Sequence, residues 1–225
     1  MIDRSTVARA VFASATVATV VGAVTGNPRL HAVAKPAMMP ALAASVRRPS
    51  PLMGVALAAA TVGDVLLIDP DDDSRILRGA GAFAVMQACY TAMLTSRGAR
   101  ITAAAAVPRF AGWSIAAASL ATRSPGVAPG LAAYGLSLAT MSTLAADPAL
   151  APGASVRASL VLPTVDDRRT WLAAGGILFT VSDAVIVFRR LALDGEKARR
   201  ISEGVILATY ALAQLLLVEG LSGEQ

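Results

Sequence analysis

The sequence predicts an all-α fold, a polytopic transmembrane helical bundle with about eight spans. Three observations predict it: 55% of the 225 residues are hydrophobic, only 16% are charged, and the charges cluster between long apolar stretches. A soluble domain carries roughly 25% charged residues, and a helix that crosses a bilayer needs about 20 residues that are mostly apolar. A soluble all-α protein fits this composition less well. We therefore expect a single integral membrane domain over residues 1–225.

Clusters of Gly, Pro and Arg separate the apolar stretches and give the expected bounds of the spans. We predict spans at residues 6–25, 30–46, 52–68, 76–95, 101–121, 129–145, 171–188 and 201–221. The first could be a signal peptide, because Arg4 and Arg9 precede it. It is long and has no small-x-small cleavage site before Asn27, so we expect a retained span.

Two later segments depart from a simple apolar helix. The fifth span contains Pro108 and Arg109, so its helix begins at about residue 101 or, with Arg109 at the interface, near Phe110. Residues 146–170 form a longer connection rich in Pro, Gly and charge. Its apolar piece, residues 158–162, is too short to span a bilayer.

The charge pattern favours membrane loops over a nucleic-acid surface. The net charge of +5 comes almost entirely from arginines in short clusters, whereas nucleic-acid binding needs a continuous basic face. Arginines are divided evenly between the two sets of loops, so the orientation in the membrane stays open. With one cysteine, Cys89, and one histidine, His31, a His/Cys metal cluster or a Ser-His-Asp triad has little support. We assign no metal and no cofactor.

A carboxylate occurs inside two of the predicted spans, within matching local sequences. Thr-Val-x-Asp stands at residues 61–64 and again at residues 180–183, which places Asp64 and Asp183 within apolar helices. An acid at such a depth costs about 2.5–3.5 kcal/mol on insertion scales and by default indicates function. The alternative is a structural hydrogen bond or ion pair between helices. The two copies are four spans apart, which is consistent with a parallel four-plus-four repeat.

Polar side chains also recur on one face of two further spans. In the 76–95 span, Gln87 and Tyr90 share a face. In the 201–221 span, Glu203, Tyr210 and Gln214 do the same. Such groups often only hold helices together. Their agreement with the two aspartates predicts a polar cavity inside the bundle.

Lys35 precedes Pro36 in the second span and has two interpretations. Its ammonium could hold a phosphate or neutralise an aspartate. Alternatively, its long side chain could reach the headgroup layer.

The ordered set of these motifs resembles the YhhN family of integral membrane proteins, the lysoplasmalogenase family. The elements that carry the resemblance are Lys35-Pro36, Gly63-Asp64-Val65-Leu66-Leu67, the helix over residues 79–90, Ser182-Asp183-Ala184 and Tyr210-x-x-x-Gln214. They extend over residues 30 to 220 or so. The sequence departs from the family at Gln87, where members usually carry a histidine. Glutamine can form hydrogen bonds but cannot exchange protons near neutral pH.

The resemblance implies a membrane hydrolase that cleaves the vinyl-ether bond of lysoplasmalogens, giving a fatty aldehyde and a glycerophospho-alcohol. It implies Asp64 and Asp183 as the acid–base pair and Lys35 as a phosphate ligand. The residues that would orient the substrate or the carboxyls are Gln87, Tyr90, Ser182, Tyr210 and Gln214. The implied partners are a lysophospholipid-type substrate and membrane lipids, with no nucleic acid; the oligomeric state stays open.

Two other functions are compatible with the same residues. A proton-coupled carrier would use the aspartates as a relay and would show discontinuous helices with access from both sides. A non-catalytic lipid-binding protein would tolerate Asp64→Asn. A hydrolase should instead have one buried cavity that opens to the bilayer or to one face.

Overall fold

The computed structural model describes residues 3–69, 71–157 and 160–222. Within those residues the chain forms eight α-helices and a small two-stranded antiparallel sheet, which confirms the predicted helical bundle. The helices are α1 (Arg4–Thr25), α2 (Pro28–Ser45), α3 (Pro51–Leu66), α4 (Asp73–Ser96), α5 (Ala103–Arg123), α6 (Ala128–Ala145), α7 (Trp171–Ala192) and α8 (Glu196–Ser222). The strands are β1 (Val156–Arg157) and β2 (Leu160–Val161).

Local sequence accounts for where several helices begin and end. Asn27, Ser50 and Asp72 each accept a hydrogen bond from a backbone N–H in the first turn of α2, α3 and α4. Such a cap satisfies one of the N–H groups that a helix start leaves unpaired. Gly26 ends α1 with a φ of 68°, a left-handed conformation that glycine adopts without steric cost. These caps make the short turns between the helices possible.

The eight described helices pack mainly against their neighbours in sequence. In addition, α1 packs on α8, and α4 packs on α6. We call the end of the bundle where α1 begins the near end, and the end that holds the α1–α2, α3–α4 and α7–α8 turns the far end. Helix α5 lies at the periphery, since it buries only Ala105 and Leu120 and packs mostly on α6.

The outside of the bundle has the character of a lipid-facing surface. Among the described residues, three stretches are long and apolar enough to cross a membrane: Arg4–Thr25, Arg168–Ala192 and Glu196–Ser222. Many valines and isoleucines are exposed on the helices, including Val107 and Ile115 on α5. Exposed apolar surface on this scale marks an interaction or membrane surface. The long apolar helices are those of a multi-pass membrane protein.

The interior is filled by flexible and branched apolar side chains. Met38, Met39, Met86 and Met141 are completely buried between α2, α4 and α6. Methionine is unbranched and adapts to irregular gaps between helices. The same core cluster includes the aromatic residues Phe83, Phe179 and Tyr210.

The structure decides where the fifth helix begins and adds detail to the connection before α7. Helix α5 begins at Ala103 and runs without interruption through Pro108, so the alternative start near Phe110 is excluded. Arg109 stays inside the helix because its Nε donates to Ser142 Oγ at 2.8 Å and one terminal nitrogen donates to Ala105 O at 2.9 Å. The connection before α7 also holds β1, β2 and two short 3-10 helices, which the sequence pattern did not predict.

The threonine of each Thr-Val-x-Asp segment forms the same hydrogen bond within its own helix. Thr61 Oγ1 donates to Leu57 O at 2.8 Å, and Thr180 Oγ1 donates to Gly176 O at 2.9 Å. Both threonines therefore bond to their own helix one turn back, away from the aspartates. The neighbours of the two halves differ, because α4 packs on α6 whereas α8 packs on α1. The four-plus-four repeat stays a prediction.

Candidate active site

A cavity of about 90 Å³ lies within the bundle towards the far end, and we call it the inner cavity. Its walls come from α2, α3, α4, α6, α7 and α8. The polar residues that line it are Lys35, Asp64, Tyr134, Ser182, Asp183, Arg189, Glu203 and Tyr210. The remaining walls are aliphatic and aromatic. Such a volume holds a few water molecules, and its combination of apolar walls with a few convergent polar groups is typical of a ligand site.

Asp64 projects into the inner cavity from the last turn of α3. It is only 2% exposed, and Tyr210 donates its hydroxyl hydrogen to Asp64 Oδ2 at 3.1 Å. The ring of Tyr210 is held edge-to-face by Phe83 at 5.6 Å and by Phe179 at 5.7 Å between ring centroids. Edge-to-face pairs favour a defined ring orientation. The phenol is therefore fixed against the carboxylate by two neighbours.

Lys35 lies beside Asp64 in the wall of the same cavity. Its side chain is buried, and Nζ donates to Leu67 O at 2.7 Å, just past the end of α3. A helix end leaves carbonyl groups unpaired, and a cation that binds them is favoured by the helix dipole. Lys35 thus stabilises the end of the helix that carries Asp64. The ammonium group of Lys35 lies in the cavity wall.

Asp183 enters the inner cavity from the middle of α7. Tyr134 on α6 donates its hydroxyl hydrogen to Asp183 Oδ2 at 2.5 Å. Asp183 and Tyr134 are both partly exposed, and so are the adjacent lining residues Leu131 and Ile186. The cavity wall between α6 and α7 therefore reaches the outer surface of the bundle.

Ser182 precedes Asp183 and also lines the cavity. Its hydroxyl donates to Ile206 O at 3.0 Å and so joins α7 to α8. A hydroxyl that bonds the backbone of the next helix is a common means of joining helices in a membrane. Ser182 retains acceptor capacity towards the cavity.

The structure places three of the predicted substrate-binding residues behind the cavity wall. Gln87, Tyr90 and Gln214 are completely buried and do not line the inner cavity. Tyr90 donates to Gln214 Oε1 at 2.8 Å, and the side-chain amide of Gln87 accepts from Ser137. Ser137 lies one turn after Tyr134 on α6. In this structure these amides therefore join helices, and direct contact with a substrate stays a prediction without geometric support.

Sequence reasoning missed Tyr134 and Arg189. Tyr134 lies on a helix with no acidic or basic residue, so nothing in the local pattern marks it. Arg189 follows the apolar part of α7 and resembles an ordinary interfacial arginine. It is nevertheless buried and forms an ion pair with Glu203 at 3.2 Å, with both residues in the cavity wall. One signal was available, because Glu203 shares the inward face of α8 with Tyr210.

The two aspartates have the same kind of partner on different helices. Asp64 receives its hydrogen bond from Tyr210, and Asp183 receives its own from Tyr134. A carboxyl whose one oxygen accepts a phenol hydrogen can still exchange a proton at its other oxygen. Two such carboxyls in the wall of one small cavity can supply a general acid and a general base.

Comparison with known proteins agrees with these features. The family model of the YhhN family matches residues 30–221, which include every polar residue of the inner cavity. No curated protein and no solved structure matches the chain. Because the match extends over well more than half of the 225 residues, the chain belongs to the YhhN family.

Proposed function

We propose that the protein hydrolyses the vinyl-ether bond of lysoplasmalogens to a fatty aldehyde and a glycerophospho-alcohol. The observation that carries the proposal is that Asp64 and Asp183, from two separate helices, line one small cavity. The YhhN family includes lysoplasmalogenases, which adds support. A substrate with one long chain and a charged headgroup also suits a site inside an apolar helical bundle.

The reaction needs only proton transfers and one water molecule. In R–CH=CH–O–R′, a general acid protonates the β-carbon of the alkenyl chain and leaves an oxocarbenium ion. Water adds to the carbon next to oxygen and gives up a proton to a general base. The hemiacetal then collapses to R–CH₂–CHO and R′–OH. Two carboxyls are sufficient for these steps, as in the related chemistry of glycosidic bonds.

The surroundings of the two aspartates suggest different roles for them. Both aspartates accept a hydrogen bond from a neutral phenol, and Lys35 adds a positive charge on the Asp64 side of the cavity. An ammonium group favours a neighbouring carboxylate. In our proposal Asp64 is therefore the carboxylate that stabilises the cation and activates water. Asp183 is the acid that protonates the alkenyl carbon.

The alkenyl chain has a route to the lipid phase. Leu131, Tyr134, Asp183 and Ile186 are partly exposed lining residues that lie together between α6 and α7. An apolar chain that lies between these helices would bring its first carbons next to Asp183. This arrangement supports a lipid substrate that enters from the side.

A proton-coupled carrier is supported less well. Carriers bind their substrates at discontinuous helices near the midplane, whereas α3 and α7 are continuous where they carry the two aspartates. The inner cavity also lies towards one end of the bundle. Both features agree better with a hydrolase.

Turnover by purified protein tests the proposal. We expect aldehyde release from an alkenyl lysophospholipid and none from the matched alkyl ether, which has no double bond to protonate. In D₂O the aldehyde should carry one deuterium at carbon 2, because that carbon receives the catalytic proton. An aldehyde without that deuterium, or no aldehyde across several headgroups and pH values, would overturn the proposal.

A further inference from the structure

A second and more open cavity adjoins the inner one at the far end of the bundle, and we call it the outer cavity. Its volume is about 460 Å³, and its walls come from the ends of α1, α2, α7 and α8 and from the α3–α4 turn. Arg189 and Glu203 line both cavities. Their ion pair is thus part of the boundary between the aspartates and the outer cavity.

The outer cavity has mixed charge. Among the residues that the structure describes, three arginines line this cavity: Arg189, Arg199 and Arg200. Four carboxylates line it as well: Asp71, Asp194, Glu196 and Glu203. A multiply charged anion would meet repulsion from the carboxylates. A zwitterion can pair with both signs.

Four of these side chains form a chain of ion pairs in which positive and negative charges alternate. Asp71 Oδ1 lies 3.1 Å from one nitrogen of Arg189 and 2.6 Å from one of Arg199, and another nitrogen of Arg189 lies 3.2 Å from Glu203 Oε2. The series Arg199, Asp71, Arg189, Glu203 therefore alternates in sign. A ligand with a phosphate and an ammonium a few bonds apart matches that alternation.

The type of ammonium group follows from what the wall contains. Quaternary ammonium groups are recognised by the faces of aromatic rings. The described lining of the outer cavity includes no Phe, Tyr or Trp. A primary ammonium has three N–H donors instead and bonds directly to carboxylates. The cavity therefore favours a primary over a quaternary ammonium.

We propose that the outer cavity binds a phosphodiester headgroup that ends in a primary ammonium, as in ethanolamine lysophospholipids. Arg189 holds the phosphate, and Glu203 and Asp71 hold the ammonium. The inference rests on the proposed function only in taking this headgroup to belong to the hydrolysed lipid. The glycerol unit then passes the Arg189–Glu203 boundary and places the vinyl ether in the inner cavity.

Binding of soluble headgroup probes tests this assignment without any bond cleavage. The probes are glycerophosphoethanolamine, glycerophosphocholine and glycerol 3-phosphate, titrated calorimetrically into the purified full-length protein in detergent. We expect the ethanolamine probe to bind at least about tenfold more tightly than the other two, since it alone gains charge-assisted hydrogen bonds to the carboxylates. Equal binding of the ethanolamine and choline probes, or no binding of any probe, overturns the proposal.

Variants identify the groups responsible. Glu203→Gln should weaken binding of the ethanolamine probe about tenfold and bring its preference over choline close to one. Arg189→Gln should weaken all three probes. The matched control is Arg190→Gln, because Arg190 pairs with Asp73 at 2.6 Å and lines neither cavity. An equal loss in Arg190→Gln would overturn the assignment. The wild-type comparison stands by itself if a variant does not fold.

The outcomes separate this inference from the proposed hydrolysis. A preference for the ethanolamine probe without aldehyde release would retain the headgroup site and remove the reaction. Aldehyde release with no preference among the probes would retain the reaction and remove the headgroup site.

Discussion

The hydroxyl of Tyr134 lies 2.5 Å from Asp183 Oδ2 and donates its hydrogen to it, joining α6 to α7 at the wall of the inner cavity. Tyr210 has the corresponding relationship to Asp64 at 3.1 Å. Each aspartate is thus oriented by a phenol from another helix.

Tyr134→Phe should lower kcat for aldehyde release by about 10- to 100-fold with little change in KM. A hydrogen bond to a charged or ionisable group is worth about 1.5–3 kcal/mol, and each 1.4 kcal/mol is tenfold in rate. Steady-state kinetics on alkenyl lysophospholipid measures the effect. Unchanged kcat would show that Asp183 does not need this partner.

Tyr210→Phe should also lower kcat, and its fold should be preserved. The new phenylalanine keeps the edge-to-face contacts with Phe83 and Phe179 and loses only the bond to Asp64. Thermal unfolding in detergent, measured beside the kinetics, separates the two effects. A large fall in melting temperature with normal turnover of the folded fraction would show that Tyr210 has a structural role and is not needed for catalysis.

Tyr90→Phe provides the contrast, because Tyr90 bonds Gln214 at 2.8 Å behind the cavity. Its loss should lower the free energy of unfolding by about 1 kcal/mol, the usual net value of a buried hydrogen bond. Turnover per folded molecule should change far less than in Tyr134→Phe. A loss of kcat as large as that in Tyr134→Phe would instead show that Tyr90 contributes to the substrate site, as the sequence analysis expected.

Gly63→Ala should impair activity through the residue next to Asp64. A Cβ at position 63 would lie 2.7 Å from Phe83 Cε2, too close for any real contact, so the ring would be displaced within the cavity wall. Gly54→Ala in the same helix is the matched control, since no atom in the described part of the chain lies within 4 Å of its added Cβ. Equal activities of the two variants would contradict the tight packing at Gly63.

Gln87→His introduces the residue that resemblance to the family leads one to expect. Because Gln87 is fully buried and lies outside the cavity lining, the histidine should not raise kcat by as much as tenfold, and the pH dependence of kcat should stay unchanged. Kinetics from pH 5 to 9 checks this. A new ionisation near neutral pH with a large gain in rate would mean that position 87 takes part in proton transfer.

Much of the fold could be predicted from the sequence, because apolar stretches and breaker clusters are local signals. Asn27, Ser50 and Asp72 cap helices close to the predicted starts. Arg109 left two possible starts open for α5, since one of its partners, Ser142, lies on another helix and is known only once the helices pack. A charged residue inside an apolar run does not by itself end a helix.

The candidate site could be predicted only in part, because local sequence signals are visible in the sequence whereas contacts between helices are not. Asp64 and Asp183 were recognisable because a carboxylate in an apolar helix is unusual in any context. Tyr134 was not, because a tyrosine in a membrane helix is ordinary until its partner on another helix is known. Gln87 and Gln214 were placed on the inward face correctly, but the inward face of a helix includes both cavity wall and core.

The most direct test of the central claim is aldehyde release by Asp64→Asn and Asp183→Asn beside the wild type. Asparagine keeps the shape of the side chain but can neither give nor take a proton in this reaction. Asp73→Asn is the matched control, since Asp73 pairs with Arg190 and lines neither cavity. We predict a loss of about 100-fold or more for each of the first two variants and near-normal turnover for the third. Normal turnover in either Asp64→Asn or Asp183→Asn would contradict the account.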